Sequence, residues 1–135
     1  MYKMMVEPTR RVSQADPLTE KVIGSAIEVH RHLGPGLLES AYEECLSWEL
    51  RAAGLAFARQ VPLPVVYKDV RLDVGYRLDL VVENQLVVEL KTVEKLLPIH
   101  EVQLLTYLKL GRFRTGLLLN FQSALLKNGI MRMVA

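Results

Sequence analysis

Asp79, Glu89 and Lys91 are the residues of this chain whose types and spacing could do chemistry together. Nine residues separate the two acids, and a single leucine separates Glu89 from the lysine. Two carboxylates held side by side repel unless a cation lies between them. A hard divalent ion with oxygen ligands, Mg²⁺ or Mn²⁺, satisfies both. A lysine beside such a site can orient an attacking water, deprotonate it when the amine is neutral, or offset charge on a pentacovalent phosphate. The same residues on a solvated sheet face would make an ordinary cross-strand ion pair. Short charged motifs do not by themselves separate these two readings.

The strands decide whether the three residues meet. From Arg59 to Lys91 the apolar period is 2, and in Arg71 to Val82 every even position is apolar, from Leu72 to Val82. That alternation predicts one strand with a packed face and a polar face carrying Asp79. A three-residue loop of Glu83, Asn84 and Gln85 would pair Val82 with Leu86, and counting back then sets Asp79 opposite Glu89, ~4.5–5.5 Å away. Lys91 lies two residues beyond Glu89 and shares its face. A two-residue loop would separate the acids. Upstream, a turn at Lys68-Asp69 pairs Tyr67 with Val70 and Val65 with Leu72. Pro62 and Pro64 place their strand at a sheet edge, because the missing N–H groups cannot serve a central strand.

Helices flank this sheet. Asp16-Pro17 is a helix start, an acidic N-cap followed by proline at the first helical position. The helix ends at Gly34-Pro35-Gly36, and a second runs from about Leu37 to Ala53. Pro98 opens a third, ending near Gly111; Thr115 to Phe121 reads as a buried strand. Asn128-Gly129 predicts a hairpin turn between Ala124–Leu126 and Ile130–Val134. Residues 1–16 show no periodicity and read as a flexible arm, leaving 17–135 as a single domain.

Composition sets the class. Half of the 135 residues are hydrophobic and 24% are charged, enough apolar material for one core and too little charge for wholesale disorder. A net charge of +2 permits a local basic patch without demanding one. The single cysteine, Cys45, excludes an internal disulfide and reads as a small core hydrophobe. No run reaches the ~18 apolar residues of a membrane span, and no signal core is present, so a cytoplasmic setting is expected. His30 and His32, at i, i+2, do not share a helical face and read as cations suited to a helix C-terminus. Glu43 and Glu44 read as solvated helix charges. Lys95, Lys109, Arg112, Arg114, Lys127 and Arg132 would form a nucleic-acid footprint only if they cluster around the acids.

The spacing Asp79, nine residues, Glu89-Leu90-Lys91 resembles the D…ExK signature of the PD-(D/E)XK nuclease superfamily, including its hairpin setting. Gly36-Leu37-Leu38-Glu39-Ser40-Ala41-Tyr42 is similar to the motif that names the GxxExxY family within it. Residues 27–42, 60–80, 89–97 and 99–110 also resemble that family. The resemblance implies an α/β fold with a restriction-endonuclease-like αβββαβ core, here with an extra N-terminal helix and a C-terminal β-hairpin. It also implies a Mg- or Mn-dependent phosphodiesterase acting on nucleic acid, with DNA the expected partner and no membrane; a homodimer is left open.

By the same resemblance, Asp79 and Glu89 hold the metal, with the Leu90 carbonyl as a further ligand. Glu39 completes the site directly or through water, and Lys91 serves the nucleophile. Gln103 and Tyr107, at i, i+4, resemble the QxxxY element of several nuclease branches. Gln103 would contact phosphate or fix the lysine; Tyr107 and the adjoining His100 read equally as helix–sheet packing. Tyr42 reads as a core residue with a satisfied hydroxyl. The rival expectation is a non-catalytic domain that keeps the fold and binds nucleic acid or a protein.

Overall fold

The computed structural model describes residues 7–9 and 16–135. Helix α1, Pro17–Leu33, begins where Asp16 accepts the Thr19 N–H at 2.7 Å, satisfying an amide that the helix itself cannot. It ends where Gly34 takes φ +67° and donates its N–H to the His30 carbonyl at 2.7 Å. Helix α2, Glu39–Ala52, starts two residues later than the sequence suggests, and its N-cap, Leu38, offers no side-chain bond. Tyr42 replaces that cap. Its ring is buried and stacks on Phe121 at 4.5 Å, while its hydroxyl donates to Gly34 O at 2.5 Å and accepts from Leu37 N at 3.2 Å. One side chain thus fixes the loop that sets the position of Glu39. Tyr42→Phe should cost about 1–3 kcal/mol, because it strands two loop groups; urea unfolding checks this.

Strands β1 (Glu7–Thr9), β2 (Phe57–Pro62), β5 (Arg77–Val82), β6 (Leu86–Lys91), β7 (Thr115–Asn120) and β8 (Ile130–Val134) form one sheet in the order β1-β8-β7-β6-β5-β2. Only the β6–β7 pair is parallel, as its crossover through helix α3, Pro98–Gly111, requires. Strand β2 lies at the sheet edge, where Pro62, its last residue, is tolerated; Pro64 falls beyond it, in the break before Val65, so the strand expected to carry both prolines is split there. Helices α1 and α2 pack with Leu80, Val82, Leu86, Val88 and Leu90 on one sheet face; Leu104 and Leu108 of α3 pack with Val81, Val87 and Leu118 on the other. The architecture is the α/β one expected. Among the described residues no helix is long and apolar enough to cross a membrane.

Three local expectations change. The strand expected over Arg71–Val82 is broken: Val70–Leu72 (β4) pairs with Val65–Tyr67 (β3) as a separate two-stranded sheet. Gly75, at φ +87°, lies in the link to β5. The turn register is as expected, Tyr67 with Val70 and Val65 with Leu72, yet Tyr67, Val70 and Leu72 are exposed rather than packed. The C-terminal hairpin joins β7 to β8, not Ala124–Leu126 to Ile130–Val134. Leu126–Gly129 is a short 3₁₀ turn that buries Leu126. A Cβ on Gly129 would meet Ser123 Oγ and lie 2.8 Å from the Asn120 carbonyl, so this glycine serves close packing rather than a hairpin turn. Finally, within the arm read as loose, Glu7–Thr9 pairs with β8; residues 1–6 and 10–15 lie outside the described residues.

Candidate functional site

The β5–β6 ladder runs Val82 to Leu86, Val81 to Val87 and Leu80 to Val88, then stops. The next pair would be Asp79 and Glu89, and there the side chains replace the backbone bonds. Asp79 N–H donates to Glu89 Oε2 at 2.9 Å, and Leu90 N–H donates to Asp79 Oδ2 at 2.8 Å. The strands fork, and the carboxylates fill the fork. The alternation of β5 breaks at the same point: Leu78 belongs to the α3 cluster and Leu80 to the α1–α2 cluster, although residues two apart share one face of a regular strand.

Across the fork, Gln60 of β2 stands between Arg59, paired with Leu80, and Val61, paired with Leu78. Its φ is +50°, a left-handed conformation that costs a non-glycine residue roughly 1–2 kcal/mol. Its amide donates to Glu43 Oε1 at 2.8 Å and reaches Asp79 Oδ1 at 3.4 Å. Glu43 is 8% exposed, so its reading as a solvated helix charge is corrected. It also accepts from Arg59 Nε at 2.9 Å, while Arg59 bonds Glu44 with its other arm. Arg59, Glu43 and Gln60 thus form a relay that ends on Asp79. Glu43 follows Glu39 by one helical turn, which is the one sequence signal for it. Nothing in the sequence returns Arg59 and Gln60 to that turn.

All three acids are held above their ordinary range. Burial pushes Glu89, 7% exposed, up to about 8, and the charge of Asp79 adds to this; the Asp79 N–H and Lys91 oppose it. Burial also raises Asp79, against the Leu90 N–H bond and with Glu43 adding repulsion. Glu39, at the exposed mouth, is raised first by partial burial and then by Asp79, with Lys91 opposing. These mutual influences place Glu39, Asp79, Glu89 and half-buried Lys91 in one electrostatic neighbourhood. Tyr107 belongs to it too: burial, then the charge on Glu89, holds its phenol high.

Gln103 is exposed on α3 and makes no side-chain hydrogen bond among the described residues. His100 accepts the Leu97 N–H at 2.9 Å and so caps α3. Buried His30 bonds the Ser123 carbonyl at 2.8 Å, and His32 bonds Glu28. Arg132 lies 3.9 Å from Asp16 at the start of α1, and Arg112 supplies the left-handed C-cap of α3.

The donors at the fork suit a hard cation. They are carboxylate oxygens, without thiolate or imidazole. Among the described residues no three His, Cys, Asp or Glu side chains already converge as a closed metal cage. An ion of the Mg²⁺ type does not need one, since it keeps several waters and binds through one or two carboxylates. Excess negative charge at a buried pair is what such an ion relieves. The model of the PD-(D/E)XK nuclease superfamily matches residues 16–133. No curated protein and no solved structure matches the chain.

Proposed function

The chain belongs to the PD-(D/E)XK nuclease superfamily, and from that premise we propose that it is a divalent-metal-dependent nuclease that hydrolyses phosphodiester bonds, with DNA as its substrate. The observation that carries this reading is the fork, where Asp79 and Glu89 interrupt a backbone ladder and stand beside Lys91. Beyond the two backbone N–H groups they satisfy, carboxylates inserted into a sheet at this desolvation cost give a scaffold little. A bound Mg²⁺ or Mn²⁺ would supply Lewis acidity and an activated water.

The chain's own residues do the rest. Asp79 and Glu89 hold the cation, each oriented by a backbone N–H. A strand residue turns its N–H and C=O to the same side, so the Leu90 carbonyl faces the fork and is a third oxygen donor. Glu39 closes the site from α2, directly or through water. Lys91 orients the water or meets the charge growing on the phosphate. The Arg59–Glu43–Gln60 relay holds Asp79 in place, and exposed Gln103 is available to a phosphate outside the fork.

Titration of the protein with Mg²⁺ or Mn²⁺ against single-stranded, double-stranded and branched DNA and RNA tests the reading. Wild-type protein should cut at least one of these only with metal, and Asp79→Ala should cut none. Wild-type protein that binds metal and cuts nothing would replace the hydrolytic reading by the non-catalytic one.

A further inference from the structure

Two tyrosines flank the fork and no part of the mechanism above uses them. Tyr76 directly precedes β5, three residues before Asp79, and is 44% exposed. Tyr107 projects from α3 onto the cluster that contains Leu78 and Val87, and Glu89 follows Val87 by two residues on the same face. The two rings meet at 5.8 Å between centroids, tilted by 46°. Neither hydroxyl has a hydrogen-bond partner among the described residues. The result is a preformed aromatic corner with an open side, next to the acids.

Positive charge near the fork is limited. Glu39, Glu43, Asp79 and Glu89 surround it; Lys91 stands among them, Arg59 is already taken by Glu43 and Glu44, and exposed Arg77 donates to the carbonyl of the neighbouring Tyr76. Proteins that grip intact duplex do so by neutralising many phosphates. An exposed aromatic corner beside a ring of acids is better suited to stacking, which contributes about 1–3 kcal/mol per base and requires a base whose face is open. Bases inside a duplex offer no open face.

We propose that Tyr76 and Tyr107 receive an unpaired nucleobase beside the scissile phosphate, so that the substrate is a single-stranded or frayed segment of nucleic acid rather than intact duplex. The inference rests on the nuclease reading for the word scissile, but the binding it describes does not.

Two readouts keep the two apart. Fluorescence anisotropy with labelled oligothymidylate, oligouridylate and a blunt DNA duplex, on the Lys91→Ala protein with Mn²⁺, reads binding alone. Cleavage of the same substrates by protein with Lys91 intact reads the reaction. Adding Tyr76→Ala should weaken single-strand binding about tenfold and change duplex binding less than about twofold. Tyr76→Phe, which keeps the ring, should restore it. Tyr67→Ala, at a tyrosine exposed on the β3–β4 hairpin, should do nothing. The oligothymidylate and oligouridylate arms show whether the unpaired strand is DNA or RNA. Binding that follows this pattern without cleavage would sink the nuclease reading and leave the aromatic corner standing. Equal loss on single strand and duplex, an equal loss in Tyr67→Ala, or no nucleic-acid binding at all would overturn the inference.

Discussion

Lys91→Ala is expected to lower hydrolysis by about 10²–10⁴-fold while divalent-ion binding persists. A lysine ammonium carries donors and no acceptor, so Lys91 cannot be a ligand, and its loss removes no bond to a cation. What it removes is positive charge beside Asp79, Glu89 and Glu39, each of which Lys91 holds down against burial and repulsion. Without that charge the acids attract a cation at least as strongly. The reaction loses the group that orients water or meets phosphate charge, and a positioned group of that kind contributes on the order of 10²–10⁴ in rate. Isothermal titration with Mn²⁺ and cleavage assays on the same preparation separate the two effects. Loss of both together would mean that Lys91 holds the fork in shape, and undiminished cleavage would remove it from the mechanism.

The part of the site that was legible from sequence is the part set by local pairing. Val82 and Leu86 flank a three-residue turn in which Glu83 and Asn84 take positive φ, and from there the period of 2 fixes Asp79 against Glu89. The reading fails where alternation no longer reports a face. Leu72, Val74 and Tyr76 continue the apolar pattern of β5, yet they are exposed, because Gly75 interrupts the strand and the pattern alone cannot say which sheet a strand joins. Glycine in a strand interior was the available warning. At Asp79 the face flips within a continuous strand, because the carboxylate occupies the place of a backbone acceptor; hydrophobic periodicity carries no trace of that. Glu43 is a tertiary case. An acid on a helix becomes buried only when Arg59 and Gln60 arrive from another element, and the one-turn spacing from Glu39 does not reveal that burial. Even Asn128-Gly129 was misread for a physical reason, since the absence of a side chain serves close packing as readily as positive φ.

The metal itself is tested by a reversal of sign in Asp79→Asn. In the metal-free protein, burial and the charge of Asp79 push Glu89 up to about 8, and Asp79 is raised as well. A carboxyl raised on folding binds its proton more tightly in the native state than in the unfolded one. The stability this contributes is full below the ordinary carboxylate range and is lost as pH rises through about 8. Metal-free protein should therefore lose stability between about pH 4.5 and pH 8. Asp79→Asn removes one of the two charges. The new side chain still accepts from Leu90 N through its carbonyl, and the long Gln60 contact is a small loss. Metal-free stability near pH 8 should rise by on the order of 1–2 kcal/mol, and the slope with pH should flatten.

With Mn²⁺ the order inverts. An ion that binds the folded state alone stabilises by RT ln(1 + [L]/Kd), ~2.7 kcal/mol at a hundredfold excess, which for a domain of this size raises the melting temperature by on the order of 10 °C. The wild type should show that rise, larger at pH 8 than at pH 6, because the ion must displace the proton on Glu89. Asp79→Asn should show little of it at either pH. Melts of both proteins in EDTA and in Mn²⁺, at the two pH values, give all the comparisons. If Mn²⁺ raises both melts equally, the ion sits away from Asp79, and the fork is a strained charge pair with no cation to relieve it. If Asp79→Asn is less stable than the wild type in EDTA at pH 8, the carboxylate's two bonds outweigh its repulsion of Glu89, and the fork is a structural element first.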